Sequence, residues 1–404
     1  MSTLQLPFSP PSLAMSSKKY PYSVLSLFAG AGGLDLGFEM EGFRVLEAVD
    51  INPWCIQTLE QNRSQWNVKL ADVRSYSPQL SEQPDVLLAG VPCQGFSLGG
   101  NRQESDPRNL LYQEVIRIAK ICQPRIVLIE NVLNLRTMRS PQTGLPFSET
   151  IIQDLNHIGY QVVSDIFKVC YYGVPQTRRR FIFIGFKDKF PSEYELPGPG
   201  EITTIRDFVY DLARGEGGEL PNHNPQWGFK SKVHRETGNP FNLEEEVLPV
   251  RLSRTASDGH PIRSYDSPFP AIDSATIWGW AQGNVVAGRY EKDRVKGEFV
   301  RNSQSTVPLW RIEASRIRSF THREYARLQT FPDDWVFMGG NKRDIHLQIG
   351  NAVPVKFAQQ LARNVRQALD CLDKGIRFGE NSPEKRSPSR DSYQMPEYRQ
   401  LSLF

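Results

Sequence analysis

The chain has 404 residues, 39% of them hydrophobic and 23% charged, and a formal net charge of +3. This length is more than one small core needs, so we expect two folded domains. No apolar run is long enough to cross a bilayer, and the first residues lack the charged and apolar regions of a secretory signal. These features predict a soluble, cytoplasmic protein with no membrane partner.

The cysteines of the chain are scattered and odd in number: Cys55, Cys93, Cys122, Cys170 and Cys371. They lack the paired close spacing of a zinc site. We therefore predict free thiols, no disulfide and no metal. The small net charge neither requires nor excludes a polyanionic partner, because binding depends on where the charge lies.

From residue 24 onward, short apolar runs alternate with helical stretches. We predict buried strands at residues 24–28, 43–49, 85–89 and 125–129, and an amphipathic helix at 109–122. Two further strands, at 160–169 and 179–186, are joined by a turn-prone Tyr-Gly-Val-Pro sequence and predict a hairpin at the sheet edge. The pattern as a whole predicts an α/β fold with a doubly wound parallel sheet.

The rest of the chain divides into a second domain, a return segment and two tails. Residues 187–317 lack regular periodicity, so we predict a smaller, irregular domain there, inserted after a first domain at 20–186. Thr321 and Glu324 have the spacing of a capping box, which predicts a helix that ends near Pro332. With a last helix at 354–372, the segment 318–375 completes the first domain. The Ser- and Pro-rich ends, 1–19 and 376–404, are predicted to be disordered.

A glycine-rich loop at residues 28–33 follows the first predicted strand and precedes a helix. Its glycines permit a tight turn and close approach of the backbone to a ligand. Asp50 ends the next strand, where a carboxylate can accept hydrogen bonds from both ribose hydroxyls. A nucleotide-like cofactor fits, whereas the dinucleotide fingerprint needs a small residue where Asp35 stands. Taken alone, the loop is equally compatible with a turn that binds no ligand.

Three motifs with reactive or charged side chains follow the predicted strands. Cys93 comes after the third strand, at the carboxyl edge where open sheets bind ligands, although a lone cysteine is more often a small buried hydrophobe. Glu130 ends the next strand at the same edge, where it can share a cleft with Cys93 or simply cap a helix or pair with an arginine. Alternation on a strand places Arg178 and Arg180 on one face, and two arginines can hold a carbonyl oxygen or a phosphate.

In this order, the motifs resemble those of the cytosine-5 DNA methyltransferase family. The resemblance spans about residues 23–369 and excludes most of the second domain. It implies a Rossmann-like, S-adenosylmethionine-dependent methyltransferase domain with a target-recognition domain at 187–317, as in bacterial restriction-modification methylases. The matching pieces are residues 28–33, Asp50, Asp72, Pro92-Cys93-Gln94, Glu130-Asn131-Val132, 176–180, 323–332 and 348–354.

The resemblance also implies a mechanism. Cys93 is expected to add to carbon 6 of a cytosine that has been flipped out of the duplex, which activates carbon 5 for methylation. Glu130 is expected to contact ring nitrogen 3 and the exocyclic amine. Arg178 resembles the arginine near the base carbonyl, and Arg180 is expected to support the loop or Glu130.

The same resemblance assigns a pocket for S-adenosylmethionine. In it, Asp50 faces the ribose, where the family often has Glu, and Asp72 faces the adenine amine. Because Asn351 comes from the far end of the chain, the last helix must pack back beside the first strand. The implied cofactor residues are Phe28, Gly30, Gly32, Gly33, Leu34, Asp50, Ile51, Asp72, Pro92, Asn351 and Val353.

Duplex DNA is the expected partner. Contacts are predicted in the loop after the nucleophile and in a basic part of the second domain, although a solvated surface residue is the alternative at each position. The sequence Pro-Phe-Pro-Ala-Ile at 268–272 is similar to the family's Pro-Thr-Ile element, with Ala271 in place of the threonine. The predicted DNA contacts are Gln94, Ser97, Arg102, Arg108, Lys230, Lys232, Arg251 and Arg254.

The most direct reading is a monomeric DNA cytosine-5 methyltransferase that protects host DNA from a cognate restriction endonuclease. A transfer-RNA cytosine-5 methyltransferase is the nearest alternative, but the Cys-Phe-Thr tripeptide typical of that branch is missing. A catalytically silent DNA-binding regulator is a second alternative. The combination of Cys93, Glu130 and Arg178 with the glycine loop argues against that regulator and against an NAD-dependent dehydrogenase.

Overall fold

The structure is a computed structural model that describes residues 21–92, 110–188, 190–213, 218–224, 246–252, 262–274, 276–290 and 309–378. Residues 1–19 and 379–404, which make up most of the two predicted tails, lie outside these ranges. The same is true of Cys93 and of the loop that follows it.

A seven-stranded sheet forms the centre of the molecule, in the order β3-β2-β1-β4-β5-β7-β6. The first five strands are parallel, and β7 runs antiparallel to both β5 and β6. The predicted doubly wound sheet and the hairpin at its edge are therefore confirmed. The strands are β1 (Tyr22–Leu27), β2 (Phe43–Asp50), β3 (Val68–Leu70), β4 (Val86–Gly90), β5 (Ile126–Asn131), β6 (Tyr160–Lys168) and β7 (Arg179–Lys187).

Helices cover both faces of this sheet. Every residue of β1 and β5 is buried, as expected for central strands of a parallel sheet that is covered on both sides. One apolar core lies between the sheet and helices α3 and α4, and the other between the sheet and helices α1 and α8. The helices are α1 (Gly33–Met40), α2 (Pro53–Asn62), α3 (Tyr112–Cys122), α4 (Phe147–His157), α5 (Arg206–Ala213), α6 (His322–Leu328), α7 (Lys342–Asn351) and α8 (Val355–Lys374).

The last helix packs back on the beginning of the fold. A Cβ atom added at Gly37 of α1 would lie 2.4 Å from the Cβ of Ala358 in α8, so a glycine is needed for the two helices to approach this closely. The hydroxyl of Tyr22, at the start of β1, donates to Asp370 and Asp373 of α8, at 2.8 Å in each case. The predicted position of the last helix beside the first strand is confirmed.

Short antiparallel strands occupy much of the segment predicted to be irregular. Strands β8 (Val247–Arg251), β9 (Trp278–Gln282) and β12 (Arg316–Ser319) form a three-stranded sheet with β9 in the middle. Strands β10 (Val286–Tyr290) and β11 (Leu309–Glu313) form a separate pair. The limits of a distinct domain at 187 and 317 stay a prediction.

Helix α6 begins with the predicted capping box. The Thr321 hydroxyl accepts a hydrogen bond from the Glu324 backbone N–H, and the Glu324 carboxylate accepts one from the Thr321 N–H. The helix ends at Leu328, four residues before Pro332, where the sequence placed its end. The reason is Thr330, whose φ of 59° lies in the left-handed region and turns the chain away.

The Glu324 carboxylate also ties the three-stranded sheet to α6. It is fully buried and accepts hydrogen bonds from Trp280 Nε1 of β9 at 2.8 Å and from Arg318 of β12 at 2.7 and 3.0 Å. Burial raises the pKa of this carboxyl group, but Arg318 and the other donors outweigh burial and hold the pKa below its ordinary value. The negative charge of Glu324 is therefore compensated by Arg318 and the other hydrogen-bond donors.

Replacing Glu324 tests the importance of this junction. We expect Glu324→Ala to lower the free energy of unfolding by about 3–5 kcal/mol, because the buried Arg318 guanidinium loses its counter-ion. Urea unfolding followed by circular dichroism measures the change. Glu60→Ala, at an exposed position of α2, is the control and should change stability by less than about 0.5 kcal/mol. Equal effects of the two substitutions would contradict a stabilising role for the junction.

Candidate active site

The candidate site lies along the carboxyl edge of the parallel strands. The loop at 28–33 follows β1, Asp50 ends β2, and Asp72 follows β3. Pro92 follows β4 by two residues, and Glu130 lies near the end of β5. The order of the parallel strands therefore places the loop and the four predicted site residues along one edge of the sheet. Ligand sites of open parallel sheets lie at this edge.

Backbone strain and a very close contact shape the glycine-rich loop. Phe28, Gly30 and Gly32 have φ values of 56°, 56° and 83°, all in the left-handed region. A Cβ atom at Gly33 would lie 2.2 Å from the carbonyl oxygen of Val353, which comes from the segment between α7 and α8. The return segment therefore touches the loop directly, and only glycine fits at this contact.

Asp50 holds the glycine-rich loop through its carboxylate. One oxygen accepts from the Gly30 N–H and the other from the Asn52 N–H, both at 2.8 Å. Burial raises the pKa of Asp50, and these backbone hydrogen bonds oppose the rise. The next residue, Ile51, is 63% exposed and presents an apolar side chain at the same edge. A nucleoside suits this pair of residues, because the Asp50 carboxylate can accept hydrogen bonds from a ribose and the Ile51 side chain can pack against a flat base.

Asp72 lies in a more open part of the edge. It forms a bidentate pair with Arg74, whose Nε is 3.0 Å from both carboxylate oxygens. The hydrogen bonds from Arg74 lower the pKa of Asp72, so the group is an ionised acceptor at neutral pH. An ionised acceptor of this kind can receive a hydrogen bond from an amine.

The other predicted cofactor residues differ in exposure. Asn351 is exposed at the end of α7, and Pro92, two residues after the end of β4, is half-buried. Leu34 and Val353 are 5% and 6% exposed, so their side chains belong mainly to the core and a ligand would meet chiefly their backbone.

Glu130 and Arg180 form an ion pair at this edge. Arg180 Nε lies 2.5 Å from Glu130 Oε1, and the two side chains are 14% and 9% exposed. Glu130 is the register partner of Gly90 across β4 and β5, and it faces Ile182 across β5 and β7. A carboxylate with one charged partner and limited solvent access can bind the polar edge of a planar base.

Arg178 is placed differently from Arg180. Its side chain is 3% exposed, and one terminal nitrogen donates to the carbonyl oxygens of Ile272 and Gly350 at 3.0 and 2.8 Å. Strand β7 begins only at Arg179, so the alternation that predicted a common face does not extend to Arg178. The structure thus brings Arg180 to Glu130 and uses Arg178 to join two distant backbone segments.

Most of the predicted DNA contacts lie outside the described residues, as does the predicted nucleophile Cys93. These contacts are Gln94, Ser97, Arg102, Arg108, Lys230, Lys232 and Arg254. Arg251 is described and is 8% exposed, with its guanidinium 5.9 Å from the centre of the Trp278 ring. This buried position does not favour a direct contact of Arg251 with DNA.

Two side chains at the site were not assigned a functional role from the sequence. Gln329, within the 323–332 motif, donates from its amide to the backbone oxygens of Ile349 and Ala352 and so fixes the segment that touches Gly33. Asp35 is fully buried in the first turn of α1, although the sequence pointed to it only as a misfit to the dinucleotide fingerprint. No sequence pattern signals the hydrogen bonds of Gln329 or the burial of Asp35.

Within the described ranges, no group of three or more His, Cys, Asp or Glu side chains is arranged to hold a metal ion. None of the helices in these ranges has both the length and the apolar character that crossing a membrane requires.

Comparison with known proteins identifies the family. The model of the C-5 cytosine-specific DNA methylase family matches residues 22–367. The type II methyltransferase M.DdeI of Desulfomicrobium norvegicum is 30% identical over 377 residues, which cover 85% of this chain and 88% of that protein. The type II methyltransferase M.MthTI of Methanothermobacter thermautotrophicus is 29% identical over 362 residues, which cover 86% of this chain and 98% of that protein. The chain belongs to the C-5 cytosine-specific DNA methylase family.

Solved structures show the same fold. A DNA modification methyltransferase encoded within an Escherichia coli prophage aligns with a TM-score of 0.56 and 21% identity over 86% of this chain and 99% of its own. Schizosaccharomyces pombe Dnmt2 aligns with a TM-score of 0.54 and 17% identity over 87% of this chain and 99% of its own. The predicted methyltransferase fold is confirmed. The protein is an S-adenosylmethionine-dependent DNA (cytosine-5) methyltransferase.

The contact between Gly33 and Val353 yields a prediction. We expect Gly33→Ala to weaken S-adenosylmethionine binding at least tenfold and to lower the free energy of unfolding by about 1–3 kcal/mol, because a backbone segment must shift to admit the methyl group. Isothermal titration calorimetry and thermal unfolding measure the two effects. Gly218→Ala, where an added Cβ meets no atom within 4 Å, is the control. Unchanged binding by Gly33→Ala would show that the cofactor does not depend on this loop.

Proposed function

We propose that the enzyme methylates carbon 5 of one cytosine within a short duplex DNA sequence, with Cys93 as the nucleophile and Glu130 as the acid that holds the base. The observation that carries the proposal is the ion pair of Glu130 with Arg180 at the carboxyl edge of the sheet. Glu130 is the register partner of Gly90, and Cys93 follows Gly90 by three residues in the sequence. Strand pairing therefore supports a shared cleft.

Covalent catalysis suits the chemistry because carbon 5 of cytosine is too weak a nucleophile to be methylated unaided. The Cys93 thiolate would form a bond to carbon 6 and move an electron pair towards carbon 5. The protonated Glu130 carboxyl group would donate a hydrogen bond to ring nitrogen 3 and accept one from the exocyclic amine, which stabilises the negative charge that develops on the ring. The bound cofactor supplies the methyl group. Loss of the carbon 5 proton to water and cleavage of the sulfur–carbon 6 bond would then restore the ring and the thiolate.

The cofactor pocket is proposed along the edge from the glycine-rich loop to Asp72. The fit rests on the strained glycine loop, the Asp50 carboxylate and the apolar Ile51 beside it. Asp50 would accept from the ribose, and Asp72 from the adenine amine. Asn351 would close the pocket from the return segment.

The target base must leave the duplex for this chemistry, because carbons 5 and 6 are enclosed by stacking and pairing. We propose that the loop after Cys93 covers the flipped base and that Gln94, Ser97, Arg102 and Arg108 contact the DNA. Segment 187–317 would read the sequence in the major groove. Lys230, Lys232 and Arg254 are proposed phosphate contacts there.

The geometry favours Arg180 as the arginine nearest the base. Its ion pair with Glu130 places the guanidinium beside the group that would hold the ring. Arg178 is occupied with the carbonyl oxygens of Ile272 and Gly350, so a positioning role suits it better than a contact with the base carbonyl.

A role in restriction-modification is proposed from the relatives. The curated relatives described above are named type II methyltransferases. We propose that this enzyme protects DNA from an endonuclease of the same specificity and acts as a monomer.

Methyl transfer to defined substrates tests the function. Purified full-length protein is incubated with tritiated S-adenosylmethionine and either unmethylated duplex DNA or total transfer RNA, and modified cytosines are mapped by bisulfite sequencing. We expect label in DNA only, at cytosines of one short sequence. Label confined to RNA would support a transfer-RNA methyltransferase, and label in neither would favour a silent binding protein.

Cysteine substitutions test the nucleophile in the same assay. We expect Cys93→Ala to abolish methyl transfer while retaining DNA binding, since only the covalent step is lost. Cys122→Ala, at the end of α3, is the matched control and should retain activity. A Cys93→Ala enzyme that still methylates DNA would refute the covalent mechanism.

Substitutions of Arg180 and Arg178 should differ in their effects on catalysis and on stability. Arg180→Gln is expected to lower kcat on the order of 100-fold with little change in Tm, because a charge beside the reacting base is lost. Arg178→Gln is expected to lower the free energy of unfolding by about 2–4 kcal/mol, since two buried carbonyl groups lose their donor. Single-turnover kinetics and thermal unfolding distinguish them. If Arg178→Gln strongly lowered kcat without changing Tm, Arg178 and not Arg180 would be the arginine that contacts the base.

A further inference from the structure

Asp35 is a buried carboxyl group that the proposed mechanism does not use. It is fully buried in the first turn of α1, and neither carboxylate oxygen has a hydrogen-bond partner of good geometry among the described residues. Burial raises its pKa to about 6, while the hydroxyl of Ser26 and its own backbone N–H oppose the rise. Burying such a group without a partner is costly, so its presence calls for a compensating interaction.

Asp35 lies in the first turn of α1, the helix that begins where the proposed cofactor loop ends. Side chains of an α-helix lean towards its amino terminus, so a carboxyl group in the first turn leans towards the residues that precede the helix. For α1 these residues are the loop at 28–33. Ser26, which is buried and precedes the loop by two residues, lies close enough to affect the Asp35 pKa.

The charges nearest Asp35 on its own helix and on the sheet are negative. Asp50, at the end of β2, and Glu39, on α1, both contribute to its raised pKa. Asp50 has its two hydrogen bonds to backbone N–H groups, and Glu39 is paired with Arg63 at 2.6 Å. Neither neighbour can compensate a further negative charge.

Three cations of α8, the helix packed against α1, are engaged elsewhere. Lys356 lies over the ring of Phe208, with its Nζ 5.1 Å from the ring centre. Arg363 and Arg366 pair with Glu41, at 3.1 and 3.3 Å. Among the described residues, therefore, no recorded ion pair neutralises Asp35. A cation brought by a ligand to the loop would do so.

We propose that Asp35 is the counter-charge for the ammonium group at the amino-acid end of the cofactor, acting from the first turn of α1. This inference rests on the proposed function, because it takes the loop as the cofactor pocket. The amino-acid end is a zwitterion, and the start of α1 has a feature for each charge. The first-turn N–H groups of a helix suit a carboxylate, and Asp35 suits the ammonium group.

Three ligands separate this role from its alternatives. S-adenosylmethionine and S-adenosylhomocysteine both carry the ammonium group, and only the first has a sulfonium charge. 5′-Methylthioadenosine keeps the adenosine and a thioether but has no amino-acid end. A residue that recognises the ammonium group should therefore matter for the first two ligands and not for the third.

Calorimetric titration of the full-length protein with each ligand at about pH 7.5 is the test. Asp35→Asn, which keeps the shape and removes the charge, should weaken the first two ligands on the order of tenfold and leave 5′-methylthioadenosine within about twofold. Glu39→Gln, the neighbouring acid on α1, should leave all three unchanged. Equal weakening of all three ligands by Asp35→Asn, weakening of S-adenosylmethionine alone, or no weakening would each overturn the proposal.

Asp50→Asn separates failure of this inference from failure of the proposed pocket. We expect it to weaken all three ligands, because each contains the ribose. If it weakens none, the pocket itself is misplaced. If it weakens all three while Asp35→Asn has no effect, the pocket stands and the role of Asp35 is refuted.

The wild-type protein provides a second measurement that does not depend on folding of the variant. Because the pKa of Asp35 is raised to about 6, the carboxylate predominates above that pH and is lost as pH falls through it. The affinity for S-adenosylhomocysteine, relative to that for 5′-methylthioadenosine, should fall on the order of tenfold between about pH 7.5 and about pH 5. A constant ratio over this range would contradict the proposal.

Discussion

The side-chain amide of Gln176 joins three segments that are far apart in the chain. Its nitrogen donates to Leu328 O at 2.5 Å and to Gln329 Oε1 at 3.0 Å, and its oxygen accepts from Ile272 N at 3.0 Å. Gln176 is fully buried, so any of these groups left without a partner would cost about 1–3 kcal/mol. The amide therefore fixes Ile272 of the inserted segment and the Leu328–Gln329 part of the return segment against the loop that leads into β7.

Arg178 extends this junction towards the cofactor side of the molecule. It binds the carbonyl oxygens of Ile272 and Gly350, and the chain from Gly350 reaches Val353, whose carbonyl oxygen touches Gly33. Contacts through Arg178 thus connect Ile272 of the 187–317 segment with the return segment that touches the glycine loop. A segment inserted between two halves of one domain has to close at such a junction, and here the closure uses hydrogen bonds between parts of the chain about 100 to 170 residues apart.

The sequence predicted most of the central sheet because buried parallel strands are short, continuous apolar runs, as in β1 and β5. It also predicted the capping box of α6. It did not locate α7, whose residues include Gly350, a poor helix former required by close contact with Asp273. The site residues followed from motifs, and the resemblance gave Arg180 a supporting role beside the loop or Glu130. The separation of Arg178 from that site, where it binds carbonyl oxygens of Ile272 and Gly350, did not follow from them. That separation depends on carbonyl groups contributed by distant segments, which local alternation cannot reveal.

Two buried acids, Glu130 and Asp35, and the half-buried Asp50 are stabilised in different ways. Glu130 has an arginine, and Asp50 has two backbone N–H groups. Asp35 has no such partner, and the negative charge of Asp50 raises its pKa further. The first two arrangements are complete within the described residues, whereas the third leaves a free-energy cost that protonation or a cationic ligand would remove. A ligand that removes such a cost binds the folded state selectively, so cofactor binding and stability of the first turn of α1 should be thermodynamically linked.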